Sequence, residues 1–123
     1  WDCRTKYVYN LIRGLSPYPA AFTELVKDDK TIQMKIYAGT KVTGNDYENM
    51  LRENGRENVL PGTILSDGKT YLAITTRDGA ISVTDLQISG KKRLPVKDFL
   101  IGFREPETYG TTKGTSVKVT GRA

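Results

Sequence analysis

Two Asp-Gly pairs, Asp67-Gly68 and Asp78-Gly79, separate runs of β-branched and apolar residues, and they constrain this chain more than any other feature. Asp-Gly is favoured in tight hairpin turns because the central positions need backbone torsions that few other residues tolerate. The segments Pro61–Gly68, Thr70–Thr76 and Ala80–Ile88 therefore read as three consecutive antiparallel strands, the last ending at Gly90. Upstream, Ala20–Val26 and Lys30–Ala38 read as a hairpin turning at Asp28-Asp29. In its second arm Ile32, Met34, Ile36 and Ala38 alternate with Gln33, Lys35 and Tyr37, the period of a strand with one buried face. Fifteen threonines among 123 residues favour strands too.

Helical spacing appears elsewhere. Val8, Leu11, Ile12 and Leu15 follow i, i+3, i+4, i+7, which predicts a helix over Arg4–Arg13 with Asp2 as N-cap. Gly14, Pro17 and Pro19 end it, because proline cannot continue a helix and disfavours helix in the residue before it. Asp46–Glu53 reads as a short helix capped by Asn45 and stopped by Gly55, or equally as a long loop. Pro95–Phe103 reads as a short helix with Val96, Phe99, Leu100 and Phe103 on one face.

Five short strands with one polar excursion predict a mainly β chain: a five-stranded OB-like Greek-key barrel with an N-terminal helix and a short C-terminal helix. A β-sandwich is the competing architecture. Residues 1–19 read as a linker helix and proline turn, 20–104 as the barrel, and 105–123 as a mobile polar tail with a short strand allowed at Val117 and Val119. The chain opens at Trp1 rather than Met, as expected of a fragment or a processed chain. Trp1 is expected to pack on the helix or the barrel; Cys3 is assigned no role.

Composition narrows the chemistry. There is no histidine and a single cysteine. Disulfide frameworks, Cys/His zinc sites and Ser-His-Asp triads are thus impossible within this chain. No acidic loop of EF-hand type occurs, and no apolar run approaches a membrane span. No metal and no membrane partner is expected, and no residue here is assigned a catalytic role. The reading is a binding or structural domain.

The net charge of +5 is unevenly placed. Residues 1–88 carry 11 basic and 11 acidic side chains. Residues 89–123 carry 8 basic ones (Lys91, Lys92, Arg93, Lys97, Arg104, Lys113, Lys118 and Arg122) against Asp98, Glu105 and Glu107. Localised positive charge points to a polyanion partner, with plain solubility as the competing explanation. Lys91, Lys92 and Arg93 form the densest cluster; adjacent cations repel one another and favour an anion nearby. Arg13 suits the end of the first helix and can also clamp a phosphate. Lys69, Arg77 and Arg104 are further candidates, with Arg4 and Lys6 behind them. Tyr18, Tyr37 and Tyr71 are candidate stacking surfaces, although packing explains each as well.

Two stretches resemble a known family. Tyr9–Leu25 carries Asn10, Arg13, Pro17, Tyr18 and Pro19 in the pattern that opens the C-terminal domain of methionyl-tRNA formyltransferases. Pro61–Phe103 is similar to the rest of that domain through Pro61-Gly62, Asp78-Gly79, Leu86-Gln87, the Gly90–Arg93 turn, Asp98-Phe99-Leu100 and Gly102. The resemblance implies an OB-type barrel appended to an N-terminal catalytic domain that lies outside this chain. It implies a cytoplasmic enzyme of translation initiation that formylates initiator methionyl-tRNA from 10-formyltetrahydrofolate. It further implies that this domain helps hold the tRNA, and that Lys91, Lys92, Arg93, Arg13, Lys69, Arg77 and Arg104 are its candidate contacts. Related formyltransferases acting on other amines carry similar domains, so a structural or dimerising module is the alternative; a stand-alone single-strand binder is a third. Pro95 and Lys97 depart from the family, which often has Ser and an acidic residue there, and this leaves the last helix without an evident N-cap.

Overall fold

The computed structural model describes residues 1–16, 20–27, 30–103, 106, 109–111 and 118–119. The first helix, α1 (Thr5–Leu15), buries Val8 and Ile12, with Leu11 and Leu15 packed partly against the same core. Each fully buried aliphatic side chain of this kind contributes about 1.5–3 kcal/mol. The helix starts one residue later than expected, and Asp2 is not its cap. Arg4 occupies the N-cap position and caps nothing. The free N–H of Thr5 is instead satisfied by Asp78 Oδ1, at 2.8 Å, from 73 residues away. Asp2 turns outward and pairs with Arg77. A cap borrowed from a distant turn leaves no local sequence signature.

Strands β1 (Ala21–Lys27) and β2 (Lys30–Val42) form the expected hairpin, in register from Ala21↔Ile36 to Lys27↔Lys30. Its tip at 28–29 lies outside the described residues. β2 continues past the expected Ala38 to Val42, because its register against β5 shifts twice between Ile36 and Gly39. Such a bulge bends a strand and breaks its alternation. Ala38, expected on the buried face, is therefore only half-buried. The polar excursion holds a helix, α2 (Gly44–Glu53), with Thr43 at the N-cap rather than Asn45. Gly55 ends it in the left-handed region at φ +69°, where glycine is unstrained.

The meander follows as β3 (Ile64–Ser66), β4 (Leu72–Thr75) and β5 (Ala80–Ile88), antiparallel throughout. Two-residue β6 (Leu94–Pro95) pairs with β5 and leads into α3 (Val96–Gly102). Pro95 occupies the α3 N-cap and offers no side-chain cap, as its lack of a polar atom requires. Short strands β7 (Gly110–Thr111) and β8 (Lys118–Val119) both pair with β1, so parts of the polar C-terminal stretch join the sheet.

The sheet order is β3-β4-β5-β2-β1-β7. β2 lies beside β5 although α2, β3 and β4 intervene, which is the Greek-key arrangement. The sheet curls, and a bridge between Thr63 and Gly110 joins its two ends. The chain is mainly β, a curled antiparallel half-barrel with an N-terminal helix and a short C-terminal one. Inside lies the main core, which includes Trp1, Leu25, Met34, Ile36, Ile64, Leu72, Ile74 and Leu86. β4 is buried on both faces: Leu72 and Ile74 enter this core, while Ala73 joins a second cluster with Leu51 of α2, Leu65 and Ala80. Asn54 fastens α2 there, donating to Tyr71 Oη at 2.9 Å and accepting from Ser66 N–H.

Candidate nucleic-acid interface

The basic turn follows β5. Gly90 sits at φ +82°, a torsion that lets the chain reverse sharply. Lys91 N–H donates to Ile88 C=O at 2.9 Å, and Ser89 N–H donates to Gln33 C=O at 3.0 Å. Side chains brace the same turn. Gln87 Nε2 donates to the Lys91 carbonyl at 2.8 Å, while Gln87 Oε1 accepts from Tyr37 Oη at 2.7 Å. Arg93 stacks over the Tyr37 ring at 4.2 Å and grips Asp85 Oδ2 through Nε at 2.7 Å and Nη2 at 2.5 Å. The hydrogen bond to Asp85 raises the Arg93 pKa above its ordinary value.

The three adjacent cations therefore divide. Arg93 spends its charge on Asp85 and on the ring. Lys91 and Lys92 are exposed and have no ion pair among the described residues. They project from a turn whose backbone is fixed at several points, which lowers the entropy lost when they meet a ligand.

The other candidates occupy different places. Arg77 lies beyond the opposite end of β5, a nine-residue strand, so about 30 Å from Lys91 at 3.3 Å per residue. Its guanidinium bonds the Asp2 carboxylate at 3.2 Å and the Asp2 carbonyl at 3.0 Å, tying down the N-terminal segment. Arg13 lies over the Tyr9 ring at 5.3 Å and beside Asn10. Lys41 approaches the same ring at 5.1 Å, a cation that sequence reading missed because its partner is on another element. Lys69 is exposed in the β3–β4 connection. There Asp67 receives hydrogen bonds from the backbone N–H groups of Lys69, Thr70 and Tyr71 and from the Thr70 hydroxyl. Desolvation pushes Asp67 upward, but these bonds outweigh it and hold its carboxyl at about 2. Arg104 and Tyr18 lie outside the described residues. Burial raises the Tyr71 hydroxyl pKa, and that hydroxyl is engaged by Asn54, which makes Tyr71 a packing residue. Tyr37 is occupied by Arg93 on one face.

Two clefts flank the basic turn. One, of about 550 Å³, is apolar: Ile32, Leu86, Ile88, Leu94, Phe99 and Phe103 line it, with Lys91, Lys92 and Asp98 also on its wall. Phe99 and Phe103 stack with centroids 4.7 Å apart. The other, of about 170 Å³, is lined by Gln33, Lys35, Gln87, Ser89 and Gly90. Among the described residues no group of three or more Asp, Glu or Cys side chains is placed to hold a metal. None of their helices is long and apolar enough to cross a membrane.

Fold and turn together define a class, a small curled-barrel domain with a braced basic turn at the end of its central strand pair. The chain belongs to the formyl transferase C-terminal domain family, whose family model matches residues 1–104. Among its relatives, the methionyl-tRNA formyltransferase of Bacteroides thetaiotaomicron is 42% identical over 111 residues, covering 89% of this chain and 31% of that protein. That of Phocaeicola vulgatus is 45% identical over 105 residues, 85% of this chain and 29% of the relative. That of Staphylococcus epidermidis is 35% identical, with 85% and 29% covered. The chain thus spans somewhat under a third of the curated relatives it matches.

Proposed function

We propose that this chain is the tRNA-holding part of a methionyl-tRNA formyltransferase. The observation that carries the reading is the pair of exposed cations on a braced turn, without an ion pair among the described residues, in a chain whose relatives are named for a tRNA substrate. Its work is electrostatic. Lys91 and Lys92 grip phosphates and release counterions, adding affinity without reading sequence. Arg13 and Lys41, beside Tyr9, form a second and weaker anchor. Arg93 acts through Tyr37, Gln87 and the turn backbone, holding the lysines in place. Formyl transfer, and binding of the donor 10-formyltetrahydrofolate, fall to the larger part of such an enzyme; no residue here is assigned to either. The protein works in the cytoplasm, where initiator tRNA is charged.

The test is the double charge reversal K91E/K92E. It is expected to weaken binding of folded tRNA by about tenfold at low salt and to lower the salt slope by roughly 2. Far-UV circular dichroism and the melting temperature are expected to stay unchanged, since neither side chain is buried. Unaltered tRNA affinity would remove these residues from the assignment.

The apolar cleft favours a second reading, a module that docks on another copy of itself. A stable dimer in light scattering, without tRNA affinity, would establish that reading in place of the first.

A further inference from the structure

We propose that the outer face of the β2–β5 pair, beside the basic turn, is a ribose site that recognises a 2′-hydroxyl of the RNA strand held by Lys91 and Lys92. The inference rests on the tRNA reading above and adds a subsite to it. The smaller cleft adjoins the turn through Gln87 and Ser89, which lie immediately before Gly90 and Lys91 or bond to them. At about 170 Å³ it falls below the roughly 300–1,000 Å³ of pockets that enclose a whole ligand. One sugar fits, with its base left outside.

The lining chemistry is matched to a hydroxyl. A phosphate only accepts hydrogen bonds, so lysines alone would serve it. Here an amide and a hydroxyl, Gln33 and Ser89, stand with Lys35 in the same cleft. Each offers both a donor and an acceptor, which suits a 2′-hydroxyl that both gives and takes. The side chains of Gln33, Lys35 and Ser89 make no hydrogen bond or ion pair among the described residues, so all three are available. Gln87 is not available. Its amide is spent on Tyr37 and on the Lys91 carbonyl, and it serves as a fixed wall. The floor at Gly90 is open: a Cβ there would meet nothing within 4 Å, so a sugar can approach the backbone.

The experiment compares two hairpins of one sequence by fluorescence anisotropy, ordinary RNA and its 2′-fluoro analogue. The two share A-form shape and charge and differ in the hydroxyl. The 123-residue chain is expected to bind the hydroxyl form about three- to tenfold more tightly, the worth of one or two modest hydrogen bonds. In Q33A/S89A that preference is expected to vanish while affinity for the fluoro hairpin stays as before, which also shows that the variant is folded. Equal binding of both hairpins by the unaltered chain would overturn the ribose site and leave the tRNA reading standing. So would a preference that survives in Q33A/S89A. Binding of neither hairpin would overturn both.

Discussion

Replacing Trp1 by alanine is expected to destabilise the chain by about 3–5 kcal/mol, the range for truncating a large buried aromatic. Trp1 is only 1% exposed and belongs to the main core with Val8, Ile12 and Leu25. Its indole N–H donates to Thr23 Oγ1 at 2.9 Å, and Thr23 is itself buried. Truncation opens a cavity and removes that bond together. Trp1→Phe separates the two effects, since it keeps most of the ring volume and loses the donor. It is expected to cost about 1–2 kcal/mol. Urea denaturation of both variants measures the difference. Equal costs would mean that the hydrogen bond, not packing, holds this residue.

The second large effect is expected at Asp78. Its Oδ1 accepts both the backbone N–H of Thr5 at 2.8 Å and the Thr5 hydroxyl at 2.7 Å. The Thr5 hydroxyl has only one proton to give, so Thr76 donates to it across their 2.6 Å contact. Thr5 and Thr76 are 1% and 3% exposed, and without Asp78 this relay ends in an unsatisfied buried donor. Asp78→Ala is expected to cost about 2 kcal/mol, combining a lost helix cap with that orphaned group. Asp78→Asn keeps an acceptor and is expected to cost about half as much. The Thr5 backbone N–H, then the Thr5 hydroxyl, hold the Asp78 carboxyl below its ordinary value. A depressed carboxylate contributes stability that is fully present above its unfolded pKa, about 3.9, and is lost as pH falls through the folded one. The gap between the unaltered chain and D78A is therefore expected to narrow below about pH 4. A gap constant down to pH 2 would show that the charge of Asp78 is irrelevant.

The contrast between Asp78 and Asp67 shows what the sequence could and could not reveal. Both precede glycine, and both turns were legible because Asp-Gly acts locally. Asp67 accepts from the backbone N–H groups of Lys69, Thr70 and Tyr71, two to four residues on, which is also local chemistry. Asp78 reaches a helix start 73 residues away, whereas local patterning points to the neighbouring Asp2 as the cap. β5 matched its expected bounds, Ala80–Ile88, because alternation and turn residues agree there. β2 outran its pattern because the bulge after Ile36 depends on pairing with β5.

The site was legible to the same degree. Lys91 and Lys92 stood out as charge. Arg93 looked equivalent to them until Asp85 and Tyr37 came beside it through the β5–β6 turn and the β2–β5 pairing. Alternation puts Gln33, Lys35 and Tyr37 on the outward face of β2, but their conjunction with Gln87 and Ser89 comes from the pairing of β2 with β5. The Greek-key order is expected from the sequence, but which outward side chains meet depends on the β2–β5 register and its bulge, which local patterning does not encode.

The central claim is that a braced basic turn grips tRNA phosphates, and binding of folded tRNA across a salt series tests it most directly. Each phosphate contact on a duplex contributes about −0.9 to the slope of log K against log salt. A slope of about −3, with little preference among tRNAs, is the expected result: Lys91 and Lys92 in full, and the weaker Arg13–Lys41 anchor in part. No detectable binding at low salt, or binding indifferent to salt, would contradict the account.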